Sequence, residues 1–289
     1  MPTASRSPFL LTLILVAFLH SLGQGVPETK SGLGPRPVRD VILQWEKEYG
    51  WVITYEDPRL VYSGDVEDIT KRVRRDVMPG ESIDPSKRIL SARERRISVA
   101  YTAPNSPSDK TAQLEAAKRL ADASATDGGN TFVVSQSTTR LHVLPGLVRD
   151  SDGQLQPSQP LLSTVISLPA GDRDGIAFLH QMCDALTTAT GYRVFVGTIP
   201  TNDMAQFHTK AGYEGLPAGQ ILEDFLDSMP DGNGYTWALL FQKDYALNIH
   251  RVGVGNHLRQ PASGAPVNHR PRVEEMHSPD GTKTVYIHR

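Results

Sequence analysis

A single cysteine, Cys183, stands among the 289 residues, so the chain cannot staple itself with an internal disulfide. Its stability must then come from packed cores. Charge of neither sign dominates: the formal net charge is −2, which excludes a general attraction to nucleic acid or to acidic surfaces. After residue 25 no run is long and apolar enough to cross a bilayer. No Asn-x-Ser/Thr sequon occurs, in keeping with a bacterial exported protein. Catalytic signatures are missing too. There is no His-Glu-x-x-His, no Gly-x-Ser-x-Gly, no phosphate-cradling Gly-x-x-x-x-Gly-Lys and no Cys-x-x-Cys. The sequence therefore names no catalytic, cofactor-binding or metal-binding residue.

The amino terminus carries an address. Arg6 precedes an almost unbroken apolar run from Phe9 to Leu19, and small residues follow at Ser21, Gly23 and Gly25. This is the layout of a secretory signal over residues 1–25, with cleavage after Gly23 or Gly25 and export to the periplasm or beyond. The run is too short to span a membrane as a mature helix. Residues 26–37, rich in Pro, Gly and Lys, read as a flexible lead-in.

One pattern is used twice. An amphipathic helix runs into a Gly-aromatic pair and then a strand, at Gly50-Trp51 and again at Gly191-Tyr192. Val38, Val41, Ile42, Trp45 and Tyr49 form one apolar helix face, and Ile176, Leu179, Cys183, Leu186 and Thr190 form another. Glycine fits the left-handed cap that ends each helix, since it has no Cβ to clash. Downstream of each comes a second helix, about Lys110–Ala125 and Pro217–Met229, and then two strands that pair as a hairpin: Thr131–Ser135 with Arg140–Leu144, and Tyr235–Gln242 with Tyr245–Val252. The expectation is an α+β fold of two small tandem modules, 38–145 and 162–252, each with two helices on short mixed sheets. Module one carries a basic insertion at 65–96. It lacks a clear counterpart to the strand Leu162–Leu168. Residues 146–161, with the turn signal Asp150-Ser151-Asp152-Gly153, read as a linker or a projecting hairpin. Residues 253–289, with four prolines and few large apolar residues, read as a mostly disordered tail.

The strand Leu162–Leu168 followed by Pro169-Ala170-Gly171, a helix, and Thr190-Gly191-Tyr192-Arg193-Val194 resembles the secretin and TonB short N-terminal domain. Gly215–Leu226 and Tyr235–Val252 are similar to the second half of that domain. The resemblance covers 162–252 well and 38–145 loosely. It implies a periplasmic, non-catalytic module that docks on another envelope protein, associated with a secretin or a TonB-dependent system. It carries over no catalytic residue.

Other constellations were weighed against plainer roles. His180, Cys183 and Asp184 share a helix, but Cys183 lies in the apolar stripe, where cysteine behaves as a small hydrophobe. The remaining histidines are scattered without metal-ligand spacing. Lys71 to Arg96 holds nine basic residues against four acids; it reads as a solvated helical insertion, with contact to an anionic surface as the alternative. Trp51, Tyr55, Tyr192, Phe195, Tyr235 and Trp237 fall on strands and read as core rather than as a sugar-stacking platform. Asp57, Asp65, Asp203 and Glu214 lie on loops; an envelope hydrolase would need two of them to face each other in a pocket. The third alternative is a glycan or peptidoglycan binder using the aromatic residues.

Overall fold

The computed structural model describes residues 27–74 and 83–253, apart from 105, 107 and 127, together with two strands at 272–277 and 283–288. The expected signal segment lies outside the described residues. In chain order, β1 (Pro27–Gly34), α1 (Pro37–Tyr49) and β2 (Ile53–Glu56) come first. The basic insertion follows with β3 (Val66–Asp68), α2 (Thr70–Val73) and β4 (Leu90–Ala92). Next are β5 (Arg95–Thr102), α3 (Lys110–Thr126), β6 (Phe132–Gln136) and β7 (Leu141–Pro145). A small hairpin, β8 (Leu147–Arg149) and β9 (Leu155–Pro157), occupies the stretch read as linker or hairpin. The second half holds β10 (Val165–Leu168), β11 (Arg173–Asp174), α4 (Gly175–Thr190), β12 (Val194–Val196), α5 (Thr201–Gln206), β13 (His208–Thr209), β14 (Tyr213–Pro217), α6 (Ala218–Ser228), β15 (Tyr235–Phe241) and β16 (Tyr245–Arg251). The fold is mixed α+β.

Residues beyond 255 form a separate unit, in which β17 (Arg272–His277) and β18 (Lys283–His288) pair antiparallel. The rest of the expected tail lies outside the described residues.

The repeat pattern takes physical form at the helix ends. Gly50 and Gly191 both sit in the left-handed region, at φ 69° and 72°, and each donates its N–H to the carbonyl four residues back. Proline at N1 starts α1, and the Asp174 carboxylate starts α4 by accepting from the Ala177 N–H at 2.7 Å. From there the two halves run in step. Ile53, Thr54 and Tyr55 of β2 lie parallel to Leu141, His142 and Val143, as Val194, Phe195 and Val196 of β12 lie parallel to Tyr245, Ala246 and Leu247. The Leu141 N–H donates to Val52 O at 3.0 Å, and the Tyr245 N–H to Arg193 O at 2.9 Å.

Two expectations need correction. Residues 27–34 are not a flexible lead-in: β1 pairs antiparallel with β5 over eight residues, from Pro27↔Thr102 to Gly34↔Arg95. This is the strand that module one was expected to lack, since it precedes α1 and pairs with β5 as β10 precedes α4 and pairs with β14. Its inward face hides the usual signal. Gly32 and Gly34 point in where large apolar residues would normally mark a strand; a Cβ on Gly32 would lie 1.9 Å from the Pro37 carbonyl oxygen. Glu28, also on that face, accepts from the hydroxyls of Tyr49 and Tyr101 at 2.7 and 2.8 Å.

The second correction concerns the sheets. The halves carry small two-stranded sheets as expected, β1–β5 and β10–β14 among them, but other strands of both halves join in one six-stranded sheet, in the order β12-β16-β15-β2-β7-β6. The junction is the parallel pairing of β15 with β2, Ala238↔Tyr55 and Leu239↔Glu56. Strand direction reverses between the halves while their lateral order is kept, so their helices fall on opposite faces. Side-chain alternation shows it. Tyr235, Trp237 and Leu239 enter the core of α4 and α6, whereas Ala238 enters the core of α1 and α3 with Ile53 and Tyr55.

Buried polar contacts bolt the junction. The Arg140 side chain is 0% exposed. Its Nε donates to Tyr235 O at 3.1 Å, its Nη2 to Gly232 O at 3.2 Å, and its Nη1 lies 2.6 Å from Asp227 Oδ1. At the other end of β2, Asp57 Oδ2 accepts from Arg36 Nε at 2.6 Å and from the Phe241 N–H at 2.8 Å. Arg140→Leu should destabilise the protein by about 3–5 kcal/mol in urea denaturation, because it strands two carbonyls and leaves a carboxylate without its partner. A loss below about 1 kcal/mol, the scale of an exposed pair, would mean that the sheet alone holds the halves together.

Candidate functional site

The junction creates a cleft on the α4–α6 face, about 200 Å³ in volume, lined by Glu56, Ser135, His142, Leu144, Glu223 and Trp237 among others. Glu56 is placed there because it ends a central strand on the face opposite Tyr55. Its carboxylate accepts from the Leu161 N–H and, at 3.3 Å, from the Leu162 N–H at the start of a single 3-10 turn. Burial outweighs those two donors and pushes its carboxyl up to about 7. His142 follows from β7 alternation. Its Nδ1 lies 2.9 Å from Thr54 Oγ1 and 3.3 Å from Glu223 Oε1 on α6. Burial, helped by the nearby Arg140 charge, lowers the imidazole to about 4, so it is neutral at pH 7. Burial also raises the Glu223 carboxyl. The indole N–H of the buried Trp237 makes no hydrogen bond of normal geometry. At pH 7 the imidazole is neutral and weakly basic, whereas the Glu56 carboxyl, held near 7 and engaged by the Leu161 and Leu162 N–H groups, is divided between its two protonation states. Among the described residues no group of three His, Cys, Asp or Glu side chains could hold a metal ion.

The constellations weighed from sequence resolve as follows. Cys183 is buried, and burial, followed by the Asp184 charge, pushes its thiol up to about 12, while His180 is exposed; no thiolate pair forms there. Of the loop carboxylates, Asp57 and Asp65 do line one cavity, with Arg36 and Arg95. Each is matched to guanidinium: Asp57 to Arg36, and Asp65 to Arg95 at 2.7 Å and Arg149 at 3.0 Å. Asp203 instead accepts from the Tyr235 hydroxyl at 2.6 Å, and Glu214 is exposed on β14. Trp51, Tyr55, Tyr235 and Trp237 are buried core, whereas Tyr192 and Phe195 are exposed with the guanidinium groups of Arg59 and Arg193 over their rings. In the basic insertion, Arg72 pairs with Glu67 and Glu94, and Arg88 with Asp68. Those pairs engage two of its nine basic residues.

Sequence reading did not find the two ends of the sheet, since strand order was not legible. Odd-numbered residues of β6 face β7, because the flanking Ser137 N–H donates to Arg140 O and the Thr131 N–H to Leu147 O. Phe132, Val134 and Gln136 therefore turn their backbone N–H and C=O groups outward, and no strand among the described residues pairs with them. The β12 end differs. There the outward N–H of Val194 donates to Thr187 Oγ1 at 2.9 Å, the same hydroxyl donates to Val194 O at 3.3 Å, and the Thr198 N–H is held by Asn248 Oδ1 at 2.9 Å. One edge is guarded at Val194 by a side chain, and among the described residues the other is open.

Compared with known protein families, curated proteins and solved structures, the chain matches none.

Opposite pH dependences meet in the cleft. Between about 4.3 and 7 the folded chain keeps a proton on Glu56 that the unfolded chain has released, so this residue makes stability fall as pH rises. Between about 4 and 6.5 the unfolded chain holds a proton that His142 lacks in the fold, so His142 makes stability rise. Glu56→Gln should therefore gain on the wild type by about 3 kcal/mol as pH goes from 4.3 to 7, read from urea midpoints across that range. A constant offset between the two proteins would show that Glu56 ionises normally in the fold.

Proposed function

We propose that this chain is an exported, non-catalytic interaction module of the bacterial cell envelope, which binds a partner by adding a strand to the outer edge of β6. The observation that carries the reading is the open row of backbone groups at Phe132, Val134 and Gln136 on a strand with no charged residue and no proline. Unpaired main-chain donors and acceptors on a sheet edge are a ready template for strand addition, and most folds blunt them. The side chains beside them are suited to the task. Val133 is 58% exposed, whereas Ala238, its counterpart on β15 beside the internal junction, is 3% exposed.

Export rests on the signal layout of residues 1–25, and the envelope setting rests on the resemblance of 162–252 to the secretin and TonB short N-terminal domain. Among the described residues no helix is long and apolar enough to cross a membrane.

A photocrosslinking residue at Val133, in protein expressed in its native envelope, should give a discrete adduct of defined mass. The same residue at the exposed Arg119 on α3 should give none. Identical adduct patterns from both positions, or none from either, would remove β6 as the docking edge.

A further inference from the structure

We infer that the strand added to β6 is β6 of a second copy, antiparallel about a two-fold axis through Val134. The inference rests on the edge-docking reading above and names its partner. Antiparallel ladders join residues that both turn their backbone groups toward the partner. On β6 those residues are Phe132, Val134 and Gln136. An axis through Val134 sets Val134 opposite its own copy and Phe132 opposite Gln136, so all three outward residues of each strand are used. An axis through Phe132 or Gln136 leaves part of each strand overhanging. The sequence Phe132-Val133-Val134-Ser135-Gln136 also meets its reverse without a like-charge contact.

The face exposed at this edge fits such a mate. In the two-fold pair, Val133 stands opposite Ser135 of the second copy, and both are exposed in the single chain. The alternative self-contact, β12 on β6, would reproduce the parallel β2–β15 junction. It is disfavoured because the Thr187 hydroxyl already occupies both outward backbone groups of Val194, one of the two outward-facing residues of that short strand. A closed two-fold pair of identical edges is also the commonest form of homo-oligomer.

The test uses the full chain in sedimentation velocity over a range of concentrations. The wild type should show mass rising twofold with concentration and then stopping. Val133→Lys with Ser135→Lys sets lysine opposite lysine twice across the axis while leaving the β6–β7 ladder, and should abolish the doubled species. Val133→Lys with Ser135→Glu sets lysine opposite glutamate and should restore it. Failure of the second variant to dimerise while the wild type does, or loss of dimer in neither variant, overturns this register. Growth beyond a dimer overturns the closed pair. A wild type that stays monomeric throughout overturns self-pairing. In that case a Val133 photocrosslink to a different envelope protein leaves edge docking standing, and the absence of any adduct removes both.

Discussion

The parallel pairing of β2 with β15 is the constraint on which the rest of the molecule depends. It makes a four-residue strand the middle of a six-stranded sheet, with a core on each face. Every residue of β2 is buried, including Thr54 and Glu56, whose side chains would be expected outside on a strand with one solvated face. The polar residues at this strand have been moved inside by topology. Partners from elsewhere in the chain meet them: Thr54 Oγ1 lies 2.9 Å from His142 Nδ1 on β7, Thr236 Oγ1 donates to Ile53 O at 2.5 Å, the 3-10 turn at Leu161 meets Glu56, and the Phe241 N–H meets Asp57. Without the junction these groups would face water; with it, removing any partner leaves a buried polar atom unsatisfied.

Because equivalent strands of the two halves run in opposite directions, each half covers the sheet from its own side, and each reaches over strands of the other. Glu46 on α1 meets His250 on β16 at 2.8 Å, and Glu223 on α6 meets His142 on β7 at 3.3 Å. These two contacts sit on opposite faces and both join a helical glutamate to a strand histidine of the other half. Burial raises both glutamate carboxyls. The cleft on the α4–α6 face is therefore a consequence of how the halves meet, since it opens where α6 leans past β2 onto β7. Its residues are held by the joint, and burial there is the first cause of their shifted ionisation.

What the sequence disclosed follows the range of the interactions involved. Helices α1, α3, α4 and α6 were legible because a 3.6-residue apolar period and a capping glycine are local signals. So were the hairpins β6–β7 and β15–β16, whose partners are a few residues apart. The pairing of β15 with β2 joins Ala238 to Tyr55 across most of the chain, and no local pattern encodes it. Strand β1 escaped notice because its inward positions are Gly32, Gly34, Lys30 and Glu28, chosen by close backbone approach and by a tyrosine–glutamate network instead of by apolarity. Helix α5, at Thr201–Gln206, is only six residues long and anchored by the buried Met204, too short for a period to show. The candidate site divides in the same way. Asp57 and Asp65 were singled out as residues, but their arginine partners were not. His142 and Glu56 became significant only once strand order was known.

The contrast between the two sheet ends gives the architecture a direction. A repeat that joins β15 to β2 contains, in principle, the instruction to go on joining, since β6 stands to the first half as β15 stands to the second. An open chain of such joints would be a fibre. Thr187 interrupts it by occupying the outward backbone groups of Val194 on β12, using a helix hydroxyl that the first half does not possess in the equivalent place: Glu46 stands there. Among the described residues the first-half edge carries no such guard. A molecule with one capped end and one open end can extend its sheet once, and pairing of two open ends leaves only capped ones exposed. Assembly of that kind is self-terminating, which limits the hazard of an uncharged, unblunted edge strand.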